Sequence, residues 1–166
     1  MPEQPTLLLT GVTGLIGGGL LDRLQIVNPD RHIVVITRQK DRTQQLNLSR
    51  GVVAVQGNVT QPRLGVPDPL YAQLTSSISE VIHCAADTRF GISLCQSRAV
   101  NTQGTRHVLN LARECRQLQK FVYISTVYVV GRSVGVFCEA RFSIRRAFRI
   151  RISSPRVKRK SSYYRQ

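Results

Sequence analysis

Between residues 6 and 24 the chain changes rhythm at a cluster of glycines, and that change restricts its fold more than any other feature. Thr6–Thr10 (TLLLT) is a short apolar run without polar alternation, the pattern of a strand buried on both faces. Ile16, Leu20, Leu21 and Leu24 recur at helical spacing, on one face of a helix that should end before Asn28-Pro29. Thr10-Gly11-Val12-Thr13-Gly14-Leu15-Ile16-Gly17 joins the two. Each glycine has its own reason in such a turn. Gly11 permits the tight bend, Gly14 lets a ligand approach the backbone, and Gly17 lets the helix pack close to the sheet.

Three further apolar runs of the same kind follow, His32–Thr37, Val52–Gln56 and Val81–Cys84, and a longer one covers Phe121–Val130. Ala99, Val100, Val108, Leu109, Leu111, Ala112, Cys115 and Leu118 keep helical spacing between the fourth and fifth runs. Gln61–Pro69 holds three prolines and a glycine and reads as a loop. Strand and helix in alternation predict right-handed βαβ units in an α/β, Rossmann-type doubly wound parallel sheet of strand order 3-2-1-4-5, truncated after about the fifth strand. One domain is expected over residues 1–140, with a basic tail over 141–166. The fifth strand would then lie at a sheet edge, where unpaired N–H and C=O groups invite self-association.

A helix that opens on a glycine turn offers unpaired N–H groups and a partial positive charge to an anion. Because this turn follows a strand and begins a βαβ unit, it predicts a site for the pyrophosphate of a dinucleotide at Gly11, Thr13, Gly14, Leu15, Ile16 and Gly17. A turn that binds nothing is the bland alternative. Arg38 lies just after the second run, about 20 residues beyond the glycines, where an acid binds the ribose of NAD and an Arg accommodates the 2′-phosphate of NADP. No acid occurs between His32 and Lys40, and Lys40 and Arg42 add to the positive charge. NADP is the expected cofactor, with NAD as the alternative.

The formal charge of +15 suggests nucleic acid until it is divided by position. Residues 1–140 carry 14 basic and nine acidic residues, a net +5, while 141–166 carry ten basic residues and no acid. The body is therefore ordinary, and nucleic acid is not the expected partner. Cys84, Cys95, Cys115 and Cys138 form no CxxC pair, which suits neither a zinc site nor a disulfide scaffold and reads as reduced thiols in a cytoplasmic protein. The apolar stretch Leu7–Leu21 lacks the positive flank of a signal peptide, and no run reaches the ~18 apolar residues of a membrane span. His32, His83 and His107 have no acid or thiol at motif spacing and read as structural.

Several segments, in order, resemble the extended short-chain dehydrogenase/reductase family. Thr10-Gly11-x-x-Gly14-x-x-Gly17 matches its cofactor turn, and Gly57-Asn58-Val59 resembles its Gly-Asp-Val, with Asn58 in place of the acid that contacts adenine. Val81-Ile82-His83-Cys84-Ala85-Ala86 resembles its fourth strand, Asn101-x-x-Gly104-Thr105 a helix whose Asn lies near the active site, and Tyr123–Gly131 the fifth strand and its end. Gln61-Pro62-Arg63-Leu64-Gly65 and His83–Phe90 narrow the likeness to the thioester-reductase and fatty-acyl-reductase (male-sterility) branch. The resemblance covers residues 6–140. It implies NADPH-dependent reduction of acyl thioesters or related carbonyls, and adenosine contacts from Asn58, Val59, Ala85 and Ala86. It also places Asn101 by the site and Thr126 at the catalytic Ser/Thr position, where a hydroxyl can hold a carbonyl as negative charge develops.

After Glu139 the family pattern gives way to ARFSIRRAFRIRISSPRVKRKSSYYRQ. The family's Tyr-x-x-x-Lys is absent, since no tyrosine of the 166 residues has a lysine four positions on. Tyr164-Arg165-Gln166 resembles the opening of Tyr-x-Gln-Ser-Lys, which makes Tyr164 the candidate proton donor, with chance as the other reading. The basic segment has three readings: an arm for anionic surfaces, a shifted-frame or truncation remnant, or a short helix presenting Phe142, Ile144, Phe148 and Ile152. The expected function is an NADP(H)-binding reductase domain. Its rival is a nucleotide-binding module without turnover.

Overall fold

Three consecutive leucines in the first strand, Leu7, Leu8 and Leu9, are each fully buried because both faces of the sheet are covered. A computed structural model describes residues 5–38 and 48–125. Strand β1 (Thr6–Thr10) leads into helix α1 (Leu15–Val27), and β2 (Ile33–Thr37) and β3 (Val52–Gln56) follow. A tight turn at Pro62–Gly65 precedes α2 (Asp68–Ser77) and β4 (Ile78–His83). Helix α3 (Leu94–Arg98) runs through a π-helical turn at Ala99–Gly104 into α4 (Thr105–Glu114), and β5 (Lys120–Tyr123) completes the sheet.

All four pairings are parallel and the strand order is β3-β2-β1-β4-β5, a Rossmann-type doubly wound sheet as the sequence predicts. The side-chain period of two splits β1 between two cores. Leu7 and Leu9 join Val12, Leu21, Ile33 and Val35 on one face. Leu8 joins Ile36, Val55, Tyr71, Val81 and Leu111 on the other. Met1–Ile124 form one compact unit. Of the second, Ser125–Gln166, only Ser125 is described, so Thr126, Tyr164, the far end of the Phe121–Val130 run and the basic segment lie outside the described residues, as do Lys40 and Arg42.

Two local expectations need correction. The Gln61–Pro69 stretch is a loop only in part. Arg63 and Leu64 adopt left-handed φ of 52° and 59°, seating the Leu64 side chain in the core while its carbonyl accepts the Asn58 N–H at 2.7 Å. Helix α2 then begins at Asp68, with prolines at its start and Asp68 in its first turn, where a carboxylate suits the helix dipole. The second correction concerns Ile16, expected on the buried face of α1 and found 60% exposed. Gly17 sits directly on the Gly11 backbone, so the contact face of α1 runs through Gly17 and Leu21, and Ile16 is turned about 100° away.

Candidate functional site

In a parallel sheet every strand delivers its following loop to the same edge. Here the loops after β1, β2, β3 and β4 carry, in turn, Gly11–Gly17, Arg38, Asn58-Val59 and Ala85-Ala86. The chain winds from β1 outward to β3, then crosses to β4 on the other side of β1. That reversal opens a crevice beyond the carboxyl ends of β1 and β4, the place where doubly wound sheets bind ligands. Every described cofactor residue expected from sequence, other than the helix-borne Asn101, follows one of these four strand ends.

The glycine turn is shaped by contacts no other residue fits. Gly11 has φ of +80°, and a Cβ there would lie 2.6 Å from the Ala85 nitrogen. A Cβ on Gly17 would run into the Gly11 carbonyl. Gly14 caps α1 without a side chain, and no acid occupies the first turn. The Gly14 N–H reaches the Gly11 carbonyl at 3.0 Å, and the first helical bond runs from the Gly18 N–H to the Gly14 carbonyl. Thr13, Gly14, Leu15 and Ile16 are exposed. An open helix start with uncapped N–H groups and no competing carboxylate fits the pyrophosphate of a dinucleotide.

Arg38 is exposed at the end of β2, and its positive charge helps lower the Asp87 carboxyl. Val59 is buried, and Asn58, half-buried, turns its Oδ1 back to accept the Thr60 N–H at 3.0 Å. That leaves the Asn58 amide N–H₂ as the group able to donate to a ring nitrogen. Ala85 is half-buried and Ala86 exposed.

The structure adds a buried hydrogen-bond chain that the sequence did not reveal. The Ala85 N–H donates to Thr10 Oγ1 at 3.3 Å, and Thr10 Oγ1 lies 2.7 Å from His83 Nδ1. His83 Nε2 lies 3.2 Å from Thr105 Oγ1, which donates to the Asn101 carbonyl at 3.0 Å. A neutral His83 protonated on Nε2 satisfies every link in one direction. The ring is fully buried and stacks on Tyr123, centroids 5.4 Å apart. His83 therefore ties the glycine-turn strand to the helix of Asn101, a structural role as expected. His107, likewise, donates Nδ1–H to the Val59 carbonyl at 2.9 Å.

Asn101, in the π-helical turn, clamps the loop after β4. Its Oδ1 accepts the Asp87 N–H and its Nδ2 donates to the Asp87 carbonyl, each at 2.8 Å. Asp87 in turn takes two bonds from the Arg89 side chain, at 3.0 and 2.7 Å. These bonds, with the charges of Arg89 and Arg38, hold its carboxyl down at about 2. The Asp-x-Arg spacing was the signal for this pair, but nothing local says that Asn101 reaches it.

Other features of the described residues point elsewhere. A groove of about 270 Å³ lies between Arg63, Tyr71, Gln103 of the π-helical turn and the Arg106, His107 and Asn110 face of α4, and contains none of the glycine-turn residues. Among the described residues no cluster of three metal-ligating side chains occurs, and no helix is long and apolar enough to cross a membrane.

The sequence pattern of the male sterility protein family, an NAD-binding family, matches residues 9–154. Fatty acyl-CoA reductase 1 of Gallus gallus is 28% identical over 147 residues, covering 76% of this chain and 28% of that protein. The probable fatty acyl-CoA reductase 5 of Arabidopsis thaliana is 26% identical over 169 residues, 84% of this chain and 34% of that protein. The chain thus spans about a third of the length of these relatives. Among solved structures, the terminal R domain of the myxalamid PKS-NRPS biosynthetic pathway superposes with a TM-score of 0.67 at 30% identity, over 82% of this chain and 39% of that one. With the glycine turn, the switch-point crevice and a family match over most of its length, the chain belongs to the male sterility protein family of NAD-binding domains.

Proposed function

We propose that this chain is the dinucleotide-holding part of a reductase that uses NADPH to reduce an acyl thioester or a related carbonyl. The observation that carries the reading is the meeting of the glycine turn, Arg38, Asn58 and Ala85-Ala86 at the carboxyl ends of four adjacent strands. When bound, the nicotinamide supplies the hydride. The residues around it do the holding. The N–H groups of Thr13, Leu15, Ile16 and Gly17 bind the pyrophosphate, which approaches over Gly14, and the Arg38 guanidinium takes the 2′-phosphate. The Asn58 amide, Val59, Ala85 and Ala86 seat the adenosine. Asn101 keeps the β4 loop in place, and the Thr126 hydroxyl polarises the substrate carbonyl. The substrate class follows the fatty acyl-CoA reductase relatives. Thiols free among the described residues, Cys84, Cys95 and Cys115, suit a reducing, cytoplasmic setting.

Titration calorimetry with NADPH and NADH tests the cofactor assignment. A bidentate Arg–phosphate contact is worth on the order of 1.5–3 kcal/mol, so NADPH should bind at least roughly tenfold more tightly, and Arg38→Ala should erase the difference. Equal affinities in the native chain would remove Arg38 from the site.

The absence of any Tyr with a Lys four residues on favours a second reading, a domain that binds the dinucleotide without turnover. A tyrosine of pKa near ~10 needs a shift of roughly three units to act near neutrality, and a nearby cation is the usual means. NADPH oxidation by the 166-residue chain with a panel of acyl-CoAs is expected to stay below ~1 turnover per minute. Faster turnover, abolished in Thr126→Ala and unchanged in Tyr164→Phe, would mean that another group delivers the proton.

A further inference from the structure

His83 is buried as completely as Val81, two residues before it on β4. Placing an imidazole where an aliphatic side chain would pack costs desolvation unless both ring nitrogens are paired. Both are, and the bonds do not stop at the ring. From the Ala85 N–H they run through Thr10 Oγ1, His83 and Thr105 Oγ1 to the Asn101 carbonyl. Asn101 then returns to the loop after β4, its side chain bonding the Asp87 N–H and carbonyl. A chain of bonds that leaves the loop at Ala85 thus comes back to it at Asp87, with the exposed Ala86 between the two ends. Ala85 also lies against the glycine turn, since a Cβ on Gly11 would meet its nitrogen at 2.6 Å.

Three features fix the ring in this circuit. Its plane is set by stacking on Tyr123 of β5, 18° from parallel. Its partners are two β-branched threonines, one closing β1 and one opening α4, whose hydroxyls have few rotamers. The Thr105 N–H turns to the Thr102 carbonyl, and the Thr105 hydroxyl supplies the bond to the Asn101 carbonyl. Because a hydroxyl has one proton, the ring decides the direction of both threonines. An Nε2–H sends the Thr105 proton to Asn101, and a bare Nδ1 takes the Thr10 proton, which leaves Thr10 Oγ1 to accept from Ala85. With the proton on Nδ1 instead, the Thr105 hydroxyl would turn to Nε2 and release the Asn101 carbonyl.

Resting on the reading of Ala85-Ala86 as part of the dinucleotide seat, we propose that His83, as its Nε2–H tautomer, is the positioning residue that holds this seat in shape before the cofactor arrives. Buried, it meets no cofactor itself. It acts through Thr10 on one end of the loop and through Thr105 and Asn101 on the other. A buried polar network with every member paired is rigid, and a loop already ordered loses little freedom when a ligand binds it.

The test uses Thr105, which belongs to the circuit but lies outside the dinucleotide seat. Valine keeps its shape without the hydroxyl, and serine keeps the hydroxyl. Calorimetry with NADPH on the 166-residue chain, well below its thermal midpoint, should show Thr105→Val weakened at least roughly fivefold and Thr105→Ser within about twofold of native. Amide hydrogen exchange without cofactor should quicken at Ala85 and Asp87 in Thr105→Val and not in Thr105→Ser. A Thr105→Val protein that melts earlier yet binds NADPH as tightly as native would reduce the circuit to a packing role and overturn the proposal, as would valine and serine variants weakened equally. Should the valine variant fail to fold, long-range proton–nitrogen NMR of the native chain still decides. One protonated ring nitrogen, Nε2, is expected on His83 at neutral pH, and a proton on Nδ1 or on both nitrogens would overturn the proposal. A native chain with the expected tautomer and no affinity for NADPH fails the parent reading, and the proposal with it, before any substitution is made.

Discussion

At the residue scale, the glycines of the first turn divide by what surrounds them. Gly11→Ala forces a Cβ onto the Ala85 backbone at a positive φ, and Gly17→Ala forces one onto the Gly11 carbonyl. Each is expected to cost at least ~2 kcal/mol of unfolding free energy and to abolish detectable dinucleotide binding, checked by urea melts and calorimetry. Gly19 has nothing within 4 Å of an added Cβ and lies inside α1, so Gly19→Ala should raise stability by about 0.5–1 kcal/mol with binding unchanged. A Gly19→Ala change as damaging as Gly11→Ala would mean that α1 packs differently. The cysteines sort in the same way. Cys95 is exposed, burial pushes the Cys84 thiol up, and burial with Glu114 raises Cys115 to about 12. A thiol reagent at pH 8 should therefore label Cys95 at least ~100-fold faster than Cys115, read by peptide mass spectrometry. The glycine positions were legible in sequence because turn, phosphate approach and helix packing each demand the same residue. The Thr10–His83–Thr105 chain was not, because its bonds join residues 22 and 73 positions apart.

At the element scale, helical spacing told α4 correctly, since Val108, Leu111, Ala112 and Cys115 are all buried against the sheet. Leu111 is fully buried, and Leu111→Ala should cost about 2–5 kcal/mol in a denaturant melt, whereas the exposed Arg106→Ala should change stability by less than ~0.5 kcal/mol. Helix α2 was hidden by its composition. Pro67, Asp68 and Pro69 read as loop residues, yet prolines and an acid at a helix start are favourable, and the helix buries only Tyr71 and Leu74 fully, with Leu70 packed partly against the core. Strand β5 pairs with β4 alone among the described residues. We propose that its other edge promotes self-association, so sedimentation velocity should show concentration-dependent dimers. A monomer at all concentrations would remove the edge as a contact.

At the scale of the whole molecule, two buried acids of the core set a limit in alkali. Burial first, and Glu114 second, raise Tyr71 and Cys115 from 10.0 and 9.0 to about 12 each. Both groups favour the folded state while protonated. Their contribution is fully present below pH 9, declines once the unfolded chain can ionise, and is lost as pH rises through 12. Thermal midpoints should fall between pH 9 and 12, less steeply in Tyr71→Phe/Cys115→Ala; equal slopes would show that other groups control the decline. The sheet order, the two-faced burial of β1 and the place of the glycine turn were determined by the sequence itself. Apolar runs without alternation have no stable home except a covered parallel sheet, and a parallel sheet must cross over through helices. What only the tertiary structure decided is which distant groups complete the edge: Asn101 on Asp87, Arg38 within reach of its charge, and His83 between two threonines. Hydrogen bonds and electrostatic fields act across a few ångströms of space, and no period or propensity along the chain records which residues folding brings that close.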